Sequence, residues 1–211
     1  IGGGGYTFPK YLEAEYPESE IDVIEIDPGV TEIAYDYMGL PADTRVESFN
    51  EDARLYLERE PTTRYHVIIG DAFNDFSVPY HLTTRGFNDR VHAWLDPQGI
   101  YVVNVIDGSY GRFIRAYVHT LQQTFDHVYV APSTSAWRRA SRTTWVVVGS
   151  RAPLDQDAFR PDSLWHQQRL SASEVDELLA EGDPVLLTDR YAPVEQMLAP
   201  VFLNKTVEEP N

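Results

Sequence analysis

Residues 1–26, IGGGGYTFPKYLEAEYPESEIDVIEI, place four consecutive glycines before an amphipathic segment and a β-branched run. Glycines at these positions allow positive φ and let a ligand approach backbone N–H groups at the start of a helix. Glu25 follows about twenty residues later, at the end of a predicted strand, where a carboxylate can accept hydrogen bonds from ribose hydroxyls. The cofactor-binding residues predicted here are Gly2, Gly3, Gly4, Gly5 and Glu25.

The same alternation of apolar runs, short turns and amphipathic stretches continues along the chain. It predicts an α/β fold with a mostly parallel sheet, helices on both faces and a terminal antiparallel strand. Asp27 is predicted to open the second helix and Asn50 the third. Predicted strands cover residues 21–26, 45–49, 65–70, 100–106, 127–131 and 143–149, and predicted helices cover residues 6–14, 28–37, 51–58, 80–94, 111–124 and 171–180.

Two regions differ in pattern. Residues 1–150 are predicted to form one Rossmann-like nucleoside-binding catalytic domain, whose first strand is truncated because only Ile1 precedes the glycines. Residues 151–211 carry a weaker pattern and are predicted to be a C-terminal extension packed on the same domain.

Composition and charge narrow the classes of function. The absence of cysteine excludes thiol catalysis and thiolate metal sites, and the six histidines lack metal-site spacing, so no metal is predicted. A net charge of −16 disfavours nucleic acid and favours cationic partners, although a solvated acidic surface explains the same bias. Because no apolar run is long enough for a membrane span and no signal peptide is visible, the chain is predicted to be cytoplasmic.

Further acids follow the predicted strands. Asp52 begins the helix after the second predicted strand, where it could bind an adenine amino group or simply stabilise the helix start. Asp71 and Asp75 follow the next strand, at the edge where doubly wound folds bind ligands. Asp107 ends the strand after that, and the sequence leaves open whether its side chain faces the ligand.

Several stretches resemble successive motifs of the spermidine and spermine synthase family, in order and at the right spacing over residues 1–150. They are IGGGGYTFPKYL (1–12), VIEIDPGV (23–30), NEDARLYL (50–57) and YHVIIGDAFNDFSVPYHLTT (65–84). The later TDRYAPVEQML (188–198) resembles the ending of spermidine-synthase-like proteins, some of which are fused to membrane segments. The resemblance implies the Rossmann-like fold of S-adenosylmethionine-dependent methyltransferases.

The resemblance also implies a reaction: aminopropyl transfer from decarboxylated S-adenosylmethionine to a diamine such as putrescine, with methylthioadenosine as the other product. It assigns ribose binding to Glu25, adenine binding to Asp52 and the general base to Asp71. Asp75 approximates a second acid of the same loop, with one extra residue between the two acids. Contacts to the cationic amine substrate are expected from Asp75, Tyr80 and Asp107, with Tyr6 and Phe73 as further candidates for an aromatic wall.

The chain departs from the family in its glycine loop. The family pattern is GGGDGG, and its aspartate, which holds the amino group of the aminopropyl arm, falls at Gly5 here. Loss of that acid lessens repulsion of a cofactor carboxylate, so an S-adenosylmethionine-dependent methyltransferase is an alternative, and a non-catalytic nucleoside- or polyamine-binding domain is a third. The resemblance leaves room for an upstream membrane segment or β-rich domain, and for a homodimer.

Overall fold

The computed structural model describes residues 1–72, 78–155 and 161–203. The chain forms two compact units. The first comprises Ile1–Thr62 with Gly70–Ala72, and the second comprises Thr63–Ile69 with Phe73–Asn211. These units divide the chain elsewhere than the boundary predicted at residue 150, which stays a prediction.

The first unit is a parallel strand pair with helices between and beside the strands. Strand β1 pairs with β2 in parallel, with Ile24 opposite Phe49. Apolar side chains from the loop, strands and helices form a buried core that includes Val23, Ala34 and Val46. The elements are α1 (Thr7–Glu15), β1 (Ile21–Ile24), α2 (Pro28–Asp36), β2 (Val46–Phe49) and α3 (Ala53–Leu57).

The starts of α2 and α3 test the two predicted helix caps of this unit. Asp27 caps α2 as predicted, because its carboxylate accepts a hydrogen bond from the Gly29 N–H at 2.8 Å. The prediction that Asn50 caps α3 is wrong, since the N-cap is Asp52. Asn50 instead donates through Nδ2 to the Thr31 hydroxyl at 2.7 Å and to the Glu25 carbonyl at 3.3 Å.

The second unit contains the longer strands. Its sheet has the order β3-β4-β6-β5, and β6 is antiparallel to both of its neighbours. The predicted antiparallel strand is therefore present, although it lies between β4 and β5. The elements are β3 (Tyr65–Gly70, whose last residue belongs to the first unit), α4 (Arg85–Trp94), β4 (Leu95–Asp107), α5 (Arg112–Leu121), β5 (His127–Pro132), β6 (Thr143–Ser150), α6 (Leu164–Gln168), α7 (Ala172–Ala180) and α8 (Val194–Leu203).

The helix predicted over residues 80–94 is divided into a 3₁₀ turn at Tyr80–Leu82 and helix α4. Thr84 causes the division, because its hydroxyl accepts the Phe87 N–H at 3.2 Å as the N-cap of α4. The same hydroxyl donates to Asp189 Oδ1 at 2.6 Å. A Cβ atom at Gly86 would meet the Asp189 carboxylate, so this position has no room for a side chain.

Residues after Ser150 pack within the second unit. The Leu170 N–H donates to the Val130 carbonyl at 2.9 Å, and the Leu187 N–H donates to the Thr120 hydroxyl at 3.0 Å. These bonds tie the late segments to β5 and α5. Across the parts of the chain that the structure describes, no helix has the length and apolar character needed to cross a bilayer.

Candidate active site

The glycine loop lies between the ends of two strands of the chain. Gly2 and Gly4 have φ of 89° and 49°, in the left-handed region that favours glycine. The Gly2 N–H donates to the Ile24 carbonyl at 2.9 Å, and a Cβ at Gly2 would lie 2.5 Å from the Asp71 carbonyl oxygen. The loop is therefore packed against the end of β1 and against the residue that follows β3.

The glycines have different surroundings. A Cβ at Gly3 would lie 2.6 Å from Cε2 of the Tyr6 ring, so the close neighbour there is protein. At Gly5 the nearest atom would be Met38 Sδ at 3.1 Å. A Cβ at Gly4 would have no protein atom within 4 Å, so open space lies beside Gly4.

Glu25 holds the loop from the end of β1. Its side chain is only 8% exposed. Oε2 accepts hydrogen bonds from the Gly3 N–H at 2.7 Å and the Gly4 N–H at 3.4 Å, and Oε1 accepts from the Asp27 N–H at 2.9 Å. Both carboxylate oxygens thus accept backbone bonds in this structure, so Glu25 organises the loop whether or not it also binds a ribose.

Asp52 and Asp71 follow the ends of two other strands. Asp52 caps α3, because its Oδ1 accepts the N–H groups of Arg54 at 2.8 Å and Leu55 at 3.2 Å. Asp71 is exposed, and its backbone N–H donates to the Ile1 carbonyl at 2.9 Å. Glu25 also donates its N–H to the carbonyl of Phe49, the last residue of β2, at 3.0 Å, so the end of β2 lies beside Glu25.

Glu25, Asp52 and Asp71 each follow the carboxyl end of a strand, and the glycine loop contacts Glu25 and Asp71 within the first unit. Open α/β sheets bind ligands at the carboxyl ends of their strands. The hydrogen-bonding roles predicted for these residues toward a ligand stay predictions. The same holds for the absence of a metal, although no group of three or more His, Asp or Glu side chains in residues 1–72, 78–155 and 161–203 could hold one.

The predicted substrate contacts have less support. Tyr80 begins the 3₁₀ turn of the second unit and is 54% exposed, so its ring is accessible. Asp75 and Phe73 lie outside the described residues. Tyr6 is 0% exposed, so the interpretation of its ring as a wall of the amine site is wrong.

Asp107 is buried at the end of β4 in the second unit. Its exposed fraction is 0%, and its oxygens accept the N–H groups of Gly108 at 2.7 Å and Ile114 at 2.8 Å. The carboxylate thus stabilises the start of α5. Its predicted role as a substrate contact stays a prediction, and the structure offers no exposed carboxylate atom for it.

Burial raises the pKa of Asp107 from 3.8 to about 6, against the opposing effect of the backbone N–H donors. Between these two values the folded state binds more protons than the unfolded state, so stability falls as pH rises. We expect the free energy of unfolding of the wild type, relative to Asp107→Asn, to fall by about 2 kcal/mol between pH 4 and pH 7. Urea denaturation of both proteins across this range measures the difference.

The exposed Asp183 supplies the control for this prediction. The difference between the wild type and Asp183→Asn should stay nearly constant over the same pH range, because a solvated carboxyl group has a similar environment in both states. A constant difference for Asp107→Asn as well would contradict the raised pKa.

Sequence reasoning missed a polar network beneath the glycine loop. The Tyr6 hydroxyl donates to Ser48 Oγ at 3.1 Å and lies 3.1 Å from Thr31 Oγ1, which also accepts from Asn50 Nδ2 at 2.7 Å. The one feature of the sequence that pointed to this network is Tyr6, a bulky aromatic residue directly after four glycines. That position alone does not reveal partners 25 and 42 residues away in sequence.

The chain matches no family model. It is 40% identical over 113 residues to a polyamine aminopropyltransferase of Vibrio vulnificus, a match that covers 52% of this chain and 37% of the relative. It is 31% identical over 127 residues to a probable polyamine aminopropyl transferase of Bifidobacterium longum, a match that covers 59% of this chain and 28% of the relative. The chain thus spans well under half the length of these curated relatives.

Methyltransferases are also among the relatives. The human eEF1A lysine and N-terminal methyltransferase is 26% identical over 117 residues, covering 50% of this chain and 17% of the relative. Two solved structures show the fold alone. A probable spermidine synthase from Corynebacterium glutamicum has a TM-score of 0.76 at 24% identity, and the match covers 92% of this chain and 72% of the synthase chain. Human methyltransferase-like protein 13 has a TM-score of 0.59 at 22% identity, and the match covers 85% of this chain and 77% of the methyltransferase chain.

The solved structures bear on the predicted fold. The fold comparisons confirm the predicted α/β fold of the S-adenosylmethionine-dependent methyltransferase type. The names of the relatives give no support to an attached membrane segment or to a homodimer, and both stay predictions.

Proposed function

We propose that this chain, a relative of the spermidine synthase family, carries the catalytic part of a polyamine aminopropyltransferase. The proposed co-substrate is decarboxylated S-adenosylmethionine and the proposed acceptor is a diamine such as putrescine. One observation carries the proposal. The glycine loop is bonded to the Glu25 carboxylate and packs against the backbone of the exposed Asp71.

The residues of this edge fit an adenosyl sulfonium. Open space lies beside Gly4, and we assign the ribose contact to Glu25 and the adenine contact to Asp52. The charge of −16 over the whole chain favours a cationic co-substrate and a cationic amine. The acids of this edge add local negative charge to that field.

Asp71 fits the role of the general base. An alkyl amine with a pKa near 10 is protonated at neutral pH, so a carboxylate must hold it and accept its proton before nitrogen can attack. The nitrogen forms a bond to the carbon beside the sulfonium, the carbon–sulfur bond breaks, and methylthioadenosine leaves as a neutral thioether. Because the leaving group is already activated, correct alignment of amine, carbon and sulfur supplies much of the rate.

A specific observation favours a second candidate, S-adenosylmethionine-dependent methyl transfer. The loop has Gly5 where the family carries its aspartate, so no loop carboxylate repels the carboxylate of S-adenosylmethionine. The methyltransferases among the relatives support the same alternative. The two candidates differ in whether the cofactor keeps its carboxylate.

Ligand binding and turnover test the proposal together. We expect methylthioadenosine and decarboxylated S-adenosylmethionine to raise the thermal midpoint of the purified chain more than S-adenosylhomocysteine does, because ligands of the native state stabilise it by mass action. We also expect methylthioadenosine to form when decarboxylated S-adenosylmethionine and putrescine are mixed with the protein. If the protein prefers S-adenosylhomocysteine and forms no product from putrescine, the proposal of aminopropyl transfer is wrong and methyl transfer takes its place.

A further inference from the structure

Tyr6 has an unusual combination of features. Among the described residues, it is the one non-glycine residue with positive φ, at 53°. A left-handed conformation is costly for a bulky side chain and persists only where surrounding contacts hold it. Tyr6 is also fully buried and directly precedes α1, so the contacts that compensate this cost lie inside the first unit.

Those contacts reach the strands and helix that carry the candidate site. The Tyr6 hydroxyl meets Ser48 on β2 and Thr31 on α2, each at 3.1 Å. Asn50 continues the network by donating to Thr31 and to the Glu25 carbonyl. The ring of Tyr6 fills the space in which a Cβ of Gly3 would lie, so it fixes the loop from beneath.

From this arrangement we infer that Tyr6 is a positioning residue for the nucleoside site, an inference that rests on the proposed function. Its hydroxyl fixes the turn that ends the glycine loop, and the loop N–H groups of Gly3 and Gly4 in turn hold the Glu25 carboxylate. Tyr6 therefore acts on the ligand through Gly3, Gly4 and Glu25 and does not touch it. Removing the hydroxyl releases the loop while the ring still fills the core.

Tyr6→Phe tests this inference. We expect the dissociation constant for methylthioadenosine to rise about tenfold, as loss of a buried hydrogen-bonded hydroxyl from a preorganised loop should produce. KM for the nucleoside co-substrate should rise by a similar factor, with kcat changed less than twofold. Isothermal titration and steady-state kinetics measure these values. Tyr11→Phe is the matched control, because Tyr11 is exposed on α1 and should leave both values unchanged.

Hydrogen–deuterium exchange of the ligand-free protein separates this inference from the proposed function. In Tyr6→Phe we expect faster exchange in the peptide that contains the glycine loop, with exchange in the second unit unchanged. If the wild type binds no adenosyl ligand, the proposed function is wrong. The exchange result would still decide whether Tyr6 holds the glycine loop in place. If Tyr6→Phe lowers the thermal midpoint but leaves loop exchange and the dissociation constant unchanged, Tyr6 is a core residue only and the inference is overturned.

Discussion

Asp71→Asn should lower kcat by about 10²- to 10⁴-fold while leaving the dissociation constant for methylthioadenosine within about twofold of the wild type. The amide of asparagine is close in shape to the carboxyl group but cannot accept a proton from an ammonium ion at neutral pH. The Asp71 backbone, which bonds to Ile1 and packs against Gly2, keeps its position in this variant. Steady-state kinetics with saturating amine and titration calorimetry measure the two effects separately.

The exposed Asp43 provides the matched control in the same unit. Asp43→Asn makes the same change of charge and shape before the amino end of β2, away from the carboxyl ends of the strands, so it should alter neither kcat nor nucleoside binding. A wild-type kcat in Asp71→Asn would remove Asp71 from the base role.

Local sequence patterns predicted much of the fold. Strand β3 spans Tyr65–Gly70 as predicted, and β1 ends two residues before the predicted boundary. These runs are apolar, β-branched and bounded by turn residues, so short-range chemistry suffices to identify them. The helix after β1 was equally clear, because Asp27 and Pro28 are a standard helix start.

Features that depend on tertiary partners were not predictable in the same way. The Thr84 hydroxyl that caps α4 also donates to Asp189, which is 105 residues away in sequence. The burial of Asp107 depends on how α5 packs over β4, and the cap of α3 is Asp52 because Asn50 is used by Thr31 and Glu25. The partners of the Asn50 side chain lie 19 and 25 residues away in sequence, so local pattern alone does not identify them.

The candidate site shows the same limit. The sequence identified Glu25 by its distance from the glycines, which is a property of the βαβ unit. It gave the glycines two reasons, positive φ and close approach of a ligand. The structure gives Gly2 and Gly3 packing reasons of their own, at the Asp71 carbonyl and at the Tyr6 ring, and only Gly4 faces open space.

Glu25→Gln should weaken nucleoside binding and lower stability together. Both oxygens of the Glu25 carboxylate accept backbone N–H groups, from Gly3 on one side and Asp27 on the other. Glutamine has one oxygen, so its NH₂ group must face one of these donors and leave that N–H unsatisfied in a site that is nearly buried. The free energy of unfolding should fall by about 1 to 3 kcal/mol.

The ligand effect should be larger than a loss of stability alone predicts. We expect the dissociation constant for methylthioadenosine to rise by about 10- to 100-fold, because the variant loses a charged acceptor for the ribose hydroxyls and also disorders the loop beside Gly4. Glu47→Gln is the control, since Glu47 is exposed on β2 in the same unit. A variant with reduced stability but an unchanged dissociation constant would leave Glu25 as a loop residue alone, and the ribose contact would then have to come from another side chain.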